Sequence, residues 1–292
     1  GRNISKLKDD LPEGNIGESW ELSCREDVDS VISNGKYKGR TFSSLLLEKG
    51  QVLVGSKISV ETFPLLIKFL DANEELSIQV HPDDEYARYD GDLGKTEVWV
   101  VLDAKKDANM VLGVKNCTRE KFRNGIINND LEPYLNRIPI KKGDVYFIKS
   151  GLIHTMKGAL VAEIQQNSDL TYRVYDFNRG RELHIDKALD VIDFSLKGKR
   201  ASGITTKGDG YTKTYYCYND KFSLEKYEIV ESLNETSNLE RFYIYVCIDG
   251  KGYILYDGGE EYIKMGDTIF IPAALGSYSI KGNLTLLKTY VP

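Results

Sequence analysis

The feature that most constrains the fold of this 292-residue chain is an internal repeat. Residues 141–158 read KKGDVYFIKSGLIHTMKG, and residues 264–282 read KMGDTIFIPAALGSYSIKG. Both segments begin with Lys-x-Gly-Asp and continue with a four-residue β run, a turn of small residues, another short run and Lys-Gly. A repeat at this separation is typical of two copies of one structural unit, and the β runs within it favour two copies of one β-barrel.

The rest of the chain also favours strands over helices. Nineteen Tyr and ten Phe supply strand-forming side chains, and 26 Gly with only seven Pro supply many turns between short strands. Segments with period-two alternation lie at 96–101, 144–148 and 242–246. Helices are predicted at 42–47, at 186–192, and from Thr118, as N-cap, towards Leu135. We therefore predict a mainly β fold with a small helical insertion near 117–136.

Charge and composition exclude several classes of protein. The net charge of −5 disfavours a protein that binds the phosphate backbone of nucleic acids. No apolar run approaches the ~20 residues that a membrane span needs, and no signal-peptide pattern is present. The four cysteines are far apart and form no metal-binding pair, which is typical of ordinary thiols in a reducing compartment. We expect a cytoplasmic protein without nucleic-acid or membrane partners.

One predicted strand carries polar side chains on a single face. In the segment from Ser77 to His81, the alternation places Ser77, Gln79 and His81 on one side and Ile78 and Val80 on the other. Three polar groups that face together from a β segment need water or a binding partner. This face is therefore a candidate binding surface.

Two further segments supply similar groups. Lys95 shares a strand face with Glu97, and His154 begins a strand after a glycine turn. With Gln79 and His81, the residues Glu97 and His154 would form a mixed site suited to catalytic zinc, because two imidazoles, a carboxylate and an amide leave room for water or substrate. Iron, manganese, cobalt or nickel would accept the same ligands. A single strand histidine is more often a hydrogen-bonded core residue, and spacing alone leaves both interpretations open.

The second copy of the repeat lacks such ligands. All three histidines, His81, His154 and His184, lie in the first 184 residues. In the second copy the place of His154 falls on Ser277 or Tyr278. The second copy thus retains the fold signal without imidazole ligands.

A Gly-, Lys- and Thr-rich segment separates the two copies. Residues 197–209 read KGKRASGITTKGD and are predicted to be an exposed connector. We predict a metal-binding domain over residues 1–196 and a second, degenerate domain over residues 205–292.

Several blocks resemble the type I mannose-6-phosphate isomerases in their short bacterial form. They are FPLLIKFLDANEELSIQVHPDDEYA, GKTEVWVVLDA and HTMKGALVAEIQQNSDLTYRVYDFNRGRELHIDKAL, and IGESWELS at 16–23 is similar to the family's N-terminal signature. The likeness covers most of residues 14–194. Beyond residue 205 it extends only to a degenerate second cupin. The resemblance implies two cupin domains, that is, two jelly-roll β-barrels.

The resemblance also implies an activity and a cofactor. Members of the family interconvert mannose 6-phosphate and fructose 6-phosphate through a cis-enediol. The family's pattern implies one zinc ion bound by Gln79, His81, Glu97 and His154, the same four residues that the spacing suggests. The implied partner is a small sugar phosphate, and the protein is expected to be a monomer or a weak homo-oligomer.

Five further residues match functional positions of the family. Glu163 is the leading acid–base candidate, and Arg173, ten residues further on, would stabilise the enediolate and orient the sugar phosphate. Lys95 would steer the oxygens on C1 and C2, although a lysine beside a glutamate is usually a simple ion pair. Ser77 and Lys68 match positions that line the phosphate pocket. Lys68 lies in an apolar segment, where a charge without a purpose is unusual.

Other interpretations remain open at this point. A non-catalytic sugar-binding cupin is the main alternative, because one fold hosts many functions. An acid–base group beside the metal argues against it. Another aldose substrate is the second alternative. His184 is predicted to have a structural hydrogen-bonding role, and Trp20 and Trp99 are predicted to be packing aromatics.

Overall fold

The first two hundred residues form strands with a few short helices. The structure is a computed structural model that describes residues 1–292. The strands are β1 (Glu18–Leu22), β2 (Cys24–Arg25), β3 (Val28–Asp29), β4 (Leu65–Ala72), β5 (Ile78–Val80), β6 (Glu97–Val114), β7 (Leu135–Pro139), β8 (Val145–Ile148), β9 (His154–Gln166) and β10 (Tyr172–Tyr175). The α-helices are α1 (Phe42–Lys49), α2 (Gln51–Val54), α3 (Asp84–Ala87), α4 (Arg119–Ile127) and α5 (Ile185–Val191). Short 3₁₀ turns lie at Asn3–Lys6, Gly35–Tyr37, Arg88–Asp90 and Glu132–Tyr134.

The remaining residues form strands and no helix. These strands are β11 (Ile204–Gly208), β12 (Tyr211–Tyr218), β13 (Ser223–Ile229), β14 (Ser232–Thr236), β15 (Tyr243–Tyr256), β16 (Gly259–Lys264), β17 (Thr268–Ile271) and β18 (Ser277–Tyr290). The predicted mainly β fold with a small helical insertion is confirmed. No helix in the chain combines the length and the apolar character that a membrane span requires.

Sixteen of the strands form two eight-stranded sheets, and β2 and β3 form a separate two-stranded sheet. In the first sheet, β1, β4, β9, β5 and β10 follow one another, and β6 pairs with β7, β8 and β9. In the second sheet the order is β11-β12-β13-β18-β15-β16, with β14 on β18 and β17 on β15. The pairs β5–β9, β6–β8 and β6–β9 thus have counterparts in β14–β18, β15–β17 and β15–β18. The sequence repeat is therefore a repeat of strand connectivity.

The strand register matches individual positions between the two sheets. Gln79 lies opposite His154 in the first sheet, and Glu235 lies opposite Tyr278 in the second. The same register also pairs Thr236 with Ser277, so both Ser277 and Tyr278 lie at positions comparable with His154. The repeated segments on β8 and β17 pair with Trp99 of β6 and Tyr245 of β15 at equivalent positions. Trp99 pairs with Glu163 across β9, and Tyr245 pairs with Lys288 across β18, so a lysine occupies the place of a glutamate.

Apolar side chains cover the opposite face of the polar strand β5. Ile78 and Val80 are buried in a cluster that includes Phe122 of α4 and Leu189 of α5. This packing confirms the predicted alternation, because it turns the polar residues of the strand towards the other side. A separate cluster around Met110 fills the space beside β6, β8 and β9.

The chain divides into two compact units. The first comprises residues 1–4, 13–19 and 68–201, and the second comprises residues 5–12, 20–67 and 202–292. The border after Ala201 lies within the predicted connector. That connector is largely exposed, but Ile204–Gly208 within it forms strand β11.

Residues 20–67 belong to the second compact unit. Aromatic packing explains this grouping. The ring of Phe63 stacks on Phe242 at 5.0 Å, and Phe42 of α1 contacts Phe270 at 4.9 Å. Aromatic rings bury large apolar areas and favour such offset and edge contacts.

The helical insertion begins as predicted and ends early. The Thr118 side chain accepts a hydrogen bond from the backbone N–H of Lys121, which is the expected N-cap contact. The helix stops at Ile127 instead of continuing towards Leu135, because Asn129 adopts a left-handed conformation with φ of 54°. The four cysteines are free, one of them buried and three half-buried, as predicted.

Candidate metal centre and active site

Three of the four predicted metal ligands converge in the first sheet. His81 Nε2 lies 3.7 Å from Glu97 Oε2, and His154 Nε2 lies 3.4 Å from Glu97 Oε1. One potential ligand atom from each residue lies within 4.8 Å of the others. All three side chains are at most 1% exposed. This cluster could hold a metal ion.

Backbone pairing brings these residues together. Gly151 donates its N–H to the carbonyl of His81 at 2.9 Å, which fixes the end of β5 beside the turn that precedes His154. Gly151 has a φ of 85°, and a Cβ at this position would lie 3.0 Å from the carbonyl oxygen of Val191. A glycine is therefore needed where the chain turns into β9.

Hydrogen bonds to backbone carbonyls fix both histidine tautomers. His81 Nδ1 lies 2.7 Å from the carbonyl of Leu170, and His154 Nδ1 lies 2.9 Å from the carbonyl of Leu152. A carbonyl only accepts, so each Nδ1 carries the proton and each Nε2 presents a lone pair to the cluster. Burial lowers the pKa of His154 to about 4 and lowers the pKa of His81 well below its usual value. Near neutral pH both imidazoles are in the uncharged form that binds metals.

An orphaned acceptor shows that the cluster fits a cation. Glu97 Oε1 is buried and has no hydrogen-bond partner, and it faces the lone pair of His154 Nε2. A buried carboxylate oxygen without a donor is unfavourable unless a positive charge lies beside it. The donor set of imidazole nitrogen and carboxylate oxygen suits zinc and its neighbours among the transition metals.

Gln79, the fourth predicted ligand, lies beside this cluster. Its Nε2 is 3.4 Å from His154 Nε2, and its Oε1 accepts a hydrogen bond from Ser77 Oγ at 2.9 Å. The Ser77 hydroxyl can donate or accept, so the amide can turn over and present its oxygen to a cation while its nitrogen donates to Ser77. Ser77 therefore contacts the candidate ligand set directly.

Lys95 places an ammonium group inside the cluster. Its Nζ donates to Glu97 Oε2 at 2.6 Å and lies 3.2 Å from His81 Nε2 and 3.5 Å from Glu163 Oε1. Burial lowers the pKa of Lys95, but the charges of Glu163 and Glu97 outweigh it, and the pKa rises above its usual value. Lys95 is therefore protonated in this site.

Glu163 is held by two donors. Its Oε1 accepts from Trp99 Nε1 at 2.8 Å and from Lys95. Burial raises the pKa of Glu163, but the charge of Lys95, a hydrogen bond from Glu97 and the charge of Lys68 together lower it to about 2. Burial, together with the neighbouring charge of Glu163, raises the pKa of Glu97. Glu163 is thus the more acidic member of the pair.

Arg173 lies on the same side of the sheet. It pairs with Gln79 across β5 and β10, and its Nε is buried without a hydrogen-bond partner. Its backbone is tied to His184, whose N–H donates to the Arg173 carbonyl at 2.8 Å and whose Nδ1 lies 3.3 Å from the Arg173 N–H. These bonds agree with the hydrogen-bonding role predicted for His184.

Lys68 is a buried cation at the edge of the site. It is 4% exposed, and its Nζ lies 3.4 Å from both Glu18 Oε2 and Asp169 Oδ1. Its charge lowers the pKa of Glu163 and of His81, so it lies within electrostatic range of the cluster.

Sequence reasoning missed three contributors to the site. The carbonyls of Leu152 and Leu170 orient the histidines, and the indole N–H of Trp99 holds Glu163. Trp99 was predicted to be a packing residue, and its ring does contact His154 at 5.4 Å. Its polar role had a signal, because Trp99 follows Glu97 by two residues and so shares its strand face. The carbonyls of Leu152 and Leu170 had no signal in the sequence.

The fold and the site together define a class of protein. In this class, two β-sheets share the same strand connectivity, and the first sheet carries a candidate metal centre. Two family models place the chain within this class. The model of the type I phosphomannose isomerase catalytic domain matches residues 4–118, and that of the mannose-6-phosphate isomerase cupin domain matches residues 211–291. The mannose-6-phosphate isomerase of Streptococcus mutans is 36% identical over 96% of this chain and 90% of its own length. The chain belongs to the type I mannose-6-phosphate isomerases, a family of isomerases with cupin domains.

Further comparisons agree. The mannose-6-phosphate isomerase ManA of Bacillus subtilis is 35% identical over 93% of this chain and 88% of its own. The crystal structure of the mannose 6-phosphate isomerase from Bacillus subtilis superposes with a TM-score of 0.92 at 35% identity, and covers 99% of this chain and 94% of that chain. The family resemblance and the two-cupin fold predicted from the sequence are confirmed.

Proposed function

We propose that this protein interconverts mannose 6-phosphate and fructose 6-phosphate with one zinc ion held by Gln79, His81, Glu97 and His154. The observation that carries the proposal is the enclosed His81–Glu97–His154 cluster, with the ammonium of Lys95 inside it. A bound divalent cation would polarise the sugar carbonyl and stabilise the negative charge that develops on its oxygen.

The isomerisation moves a hydrogen between C1 and C2 of the open-chain sugar. In the proposed reaction Glu163 removes the proton from C2 of the aldose, which leaves a cis-enediolate that becomes the cis-enediol when O1 takes up a proton. The O2 hydroxyl then loses its proton as the C2 carbonyl forms, and Glu163 returns the first proton to C1 to give the ketose. The pKa of Glu163 near 2 keeps its carboxylate ionised, as a base must be. A substrate oxygen that takes over the hydrogen bond from Lys95 would make Glu163 more basic at the moment of transfer.

Two cations are proposed to stabilise the enediolate. Lys95 is protonated and lies between Glu97 and Glu163, where it can donate to the oxygens on C1 and C2. Arg173 has a buried Nε without a partner, so a donor is available for the sugar phosphate. Donors already held in place lower the barrier because they need no reorganisation during the reaction.

Lys68 and Ser77 are proposed to bind the phosphate. A phosphate oxygen would replace the two 3.4 Å contacts of Lys68 with Glu18 and Asp169 by a shorter, charge-assisted hydrogen bond. The buried Ser77 hydroxyl offers a further donor.

Lys68→Ala is expected to raise the KM for mannose 6-phosphate by roughly 10–150-fold, because a hydrogen bond between charged groups contributes about 1.5–3 kcal/mol. The effect on kcat should be smaller, since Lys68 acts on the phosphate and not on the reacting carbons. Steady-state kinetics measure both constants. Lys157→Ala removes an exposed lysine of β9 and should leave KM unchanged. An unchanged KM in Lys68→Ala would remove Lys68 from the phosphate site.

Chelation is expected to abolish the isomerase activity, and added zinc is expected to restore it, because the acceptor cluster needs a cation to act on the substrate. The experiment combines metal analysis of the purified protein with an assay on mannose 6-phosphate before and after chelation. Full activity after verified metal removal would refute the metal-dependent mechanism. Binding of mannose 6-phosphate without turnover would instead favour a non-catalytic sugar-binding protein. A panel of aldoses tests the substrate.

We also propose that the protein works in the cytoplasm. All four of its cysteines are free thiols, which is typical of proteins in reducing compartments.

A further inference from the structure

The segment between β9 and β10 supplies two groups that serve the candidate site. The carbonyl of Leu170 accepts the hydrogen bond from His81 Nδ1 at 2.7 Å. The carboxylate of Asp169 lies 3.4 Å from Lys68 Nζ. A backbone carbonyl and a short side chain move with the main chain, so both contacts depend on where this segment is held.

The side chain of Gln165 forms hydrogen bonds with the backbone of this segment. Gln165 is fully buried, and its Nε2 donates to the carbonyls of Gln166 at 2.9 Å and of Ser168 at 2.5 Å. Two carbonyl partners fix which end of the amide is nitrogen, because oxygen cannot donate to them. Its Oε1 is left buried and without a partner.

The other side-chain hydrogen bonds of residues 168–171 are longer. Ser168 Oγ accepts from the N–H of Leu170 at 3.2 Å, and Asp92 accepts from the N–H of Asp169 at 3.4 Å. The Thr171 hydroxyl lies 3.5 Å from the carbonyl of Asp169. The shorter hydrogen bonds are those of Gln166 and the one from Gln165 Nε2 to the Ser168 carbonyl. The Gln165 side chain therefore holds the backbone just before Asp169 and Leu170.

We propose that Gln165 is a positioning residue of the isomerase site. Its two N–H donors hold the turn at 166–168, and the turn places the Leu170 carbonyl on His81 and the Asp169 carboxylate beside Lys68. Through these contacts Gln165 sets the tautomer and orientation of one metal ligand and the position of the phosphate-binding lysine. This inference rests on the proposed function, because it assigns His81 to the metal and Lys68 to the phosphate.

The location of Gln165 supports this role. It lies directly opposite Glu97 across β6 and β9, so its side chain starts on the face that carries the candidate ligands. A buried amide that keeps one oxygen unpaired costs stability, and an apolar residue of the same size would avoid this cost.

Gln165→Met tests the proposal, since it keeps the side-chain volume and removes both donors. The affinity for zinc, measured by competition with a chromophoric chelator, is expected to fall ~10–100-fold, as is typical when a partner behind a metal ligand is lost. The visible absorption of the cobalt-substituted protein should change as well, because it reports ligand orientation. At saturating zinc the KM for mannose 6-phosphate should remain raised.

Thr289→Val is the matched control. It removes a buried hydrogen bond from the Thr289 hydroxyl to the carbonyl of Ser223, at 2.7 Å, in the second sheet. It should lower the melting temperature without changing zinc affinity or KM. A Gln165→Met protein with the same thermal loss but wild-type zinc affinity and KM would overturn the proposal.

Two further outcomes are decided by the same measurements. If Gln165→Met fails to fold, Gln165→Asn keeps an amide on a shorter arm that cannot reach both carbonyls, and wild-type zinc affinity in this variant overturns the proposal. If the zinc-loaded wild-type protein does not isomerise mannose 6-phosphate, the proposed function fails. The zinc competition still decides whether Gln165 positions His81.

Discussion

Glu163→Gln is expected to lower kcat by ~10²–10⁴-fold, the usual contribution of a positioned acid–base group. The substitution keeps the shape of the side chain and its ability to accept from Trp99 Nε1, and it removes the group proposed to carry the proton. Zinc content should stay at the wild-type level, because Glu163 is not one of the four proposed ligands. Steady-state kinetics and metal analysis of the same preparation measure both effects.

Glu225→Gln is the matched control for this substitution. Glu225 is 3% exposed and accepts from the hydroxyls of Tyr227 and Tyr290, so it too is a buried carboxylate held by aromatic donors, but in the second sheet. Its replacement should reduce stability and leave kcat unchanged. If Glu163→Gln kept more than a tenth of the wild-type kcat, another group would have to move the proton.

Lys95→Met is expected to lower the free energy of unfolding of the metal-free protein by ~3–5 kcal/mol, the usual result of removing one partner of a buried ion pair. The ammonium lies next to Glu97 and Glu163, and its loss leaves two buried carboxylates without a counter-charge. Urea denaturation after chelation measures the change. Added zinc should recover part of the loss, because it brings positive charge back to Glu97.

The pH dependence of this variant has a defined sign. Without Lys95, burial and mutual repulsion raise the pKa of the two carboxyl groups in the folded state above their values in the unfolded chain. A group with a raised pKa contributes stability at low pH and loses that contribution as the pH rises. The stability deficit of Lys95→Met should therefore be larger at pH 8 than at pH 5.

Lys288→Met is the control for the metal effect. Lys288 is 4% exposed, donates to Glu235 Oε2 at 3.0 Å and lies 4.0 Å from the ring centre of Tyr243. Its replacement should also destabilise the protein, but zinc should not change that loss. If zinc left the deficit of Lys95→Met equally unchanged, Glu97 could not be a metal ligand.

Periodicity along single strands predicted much of the candidate site. The alternation from Ser77 to His81 correctly separates the polar face from Ile78 and Val80, and the same rule puts Lys95 and Glu97 together. Such predictions succeed because successive side chains in a strand point to opposite faces, whatever the rest of the fold does. The internal repeat predicted the second sheet for a similar reason, since each copy carries its own pattern.

Contacts between distant segments could not be predicted in this way. Trp99 contacts Glu163 because β6 and β9 pair in one particular register. That register shifts at irregularities further along β6. The carbonyls of Leu170 and Leu152 carry no sequence signal, because every residue has one. The grouping of residues 20–67 with the second unit depends on which aromatic rings find each other, and composition does not specify this.

The lysine that stands where the first sheet has Glu163 has a consequence for the protein's dependence on its surroundings. Glu163 is balanced by the ammonium of Lys95 beside the proposed metal ligands, whereas Lys288 carries its own positive charge and donates to Glu235 within the second sheet. Under the proposed function, the first half of the molecule needs a cation for its acceptor cluster, and the second half balances its buried charges without one. If that proposal holds, we expect zinc shortage to abolish the activity while the charges of the second sheet stay balanced.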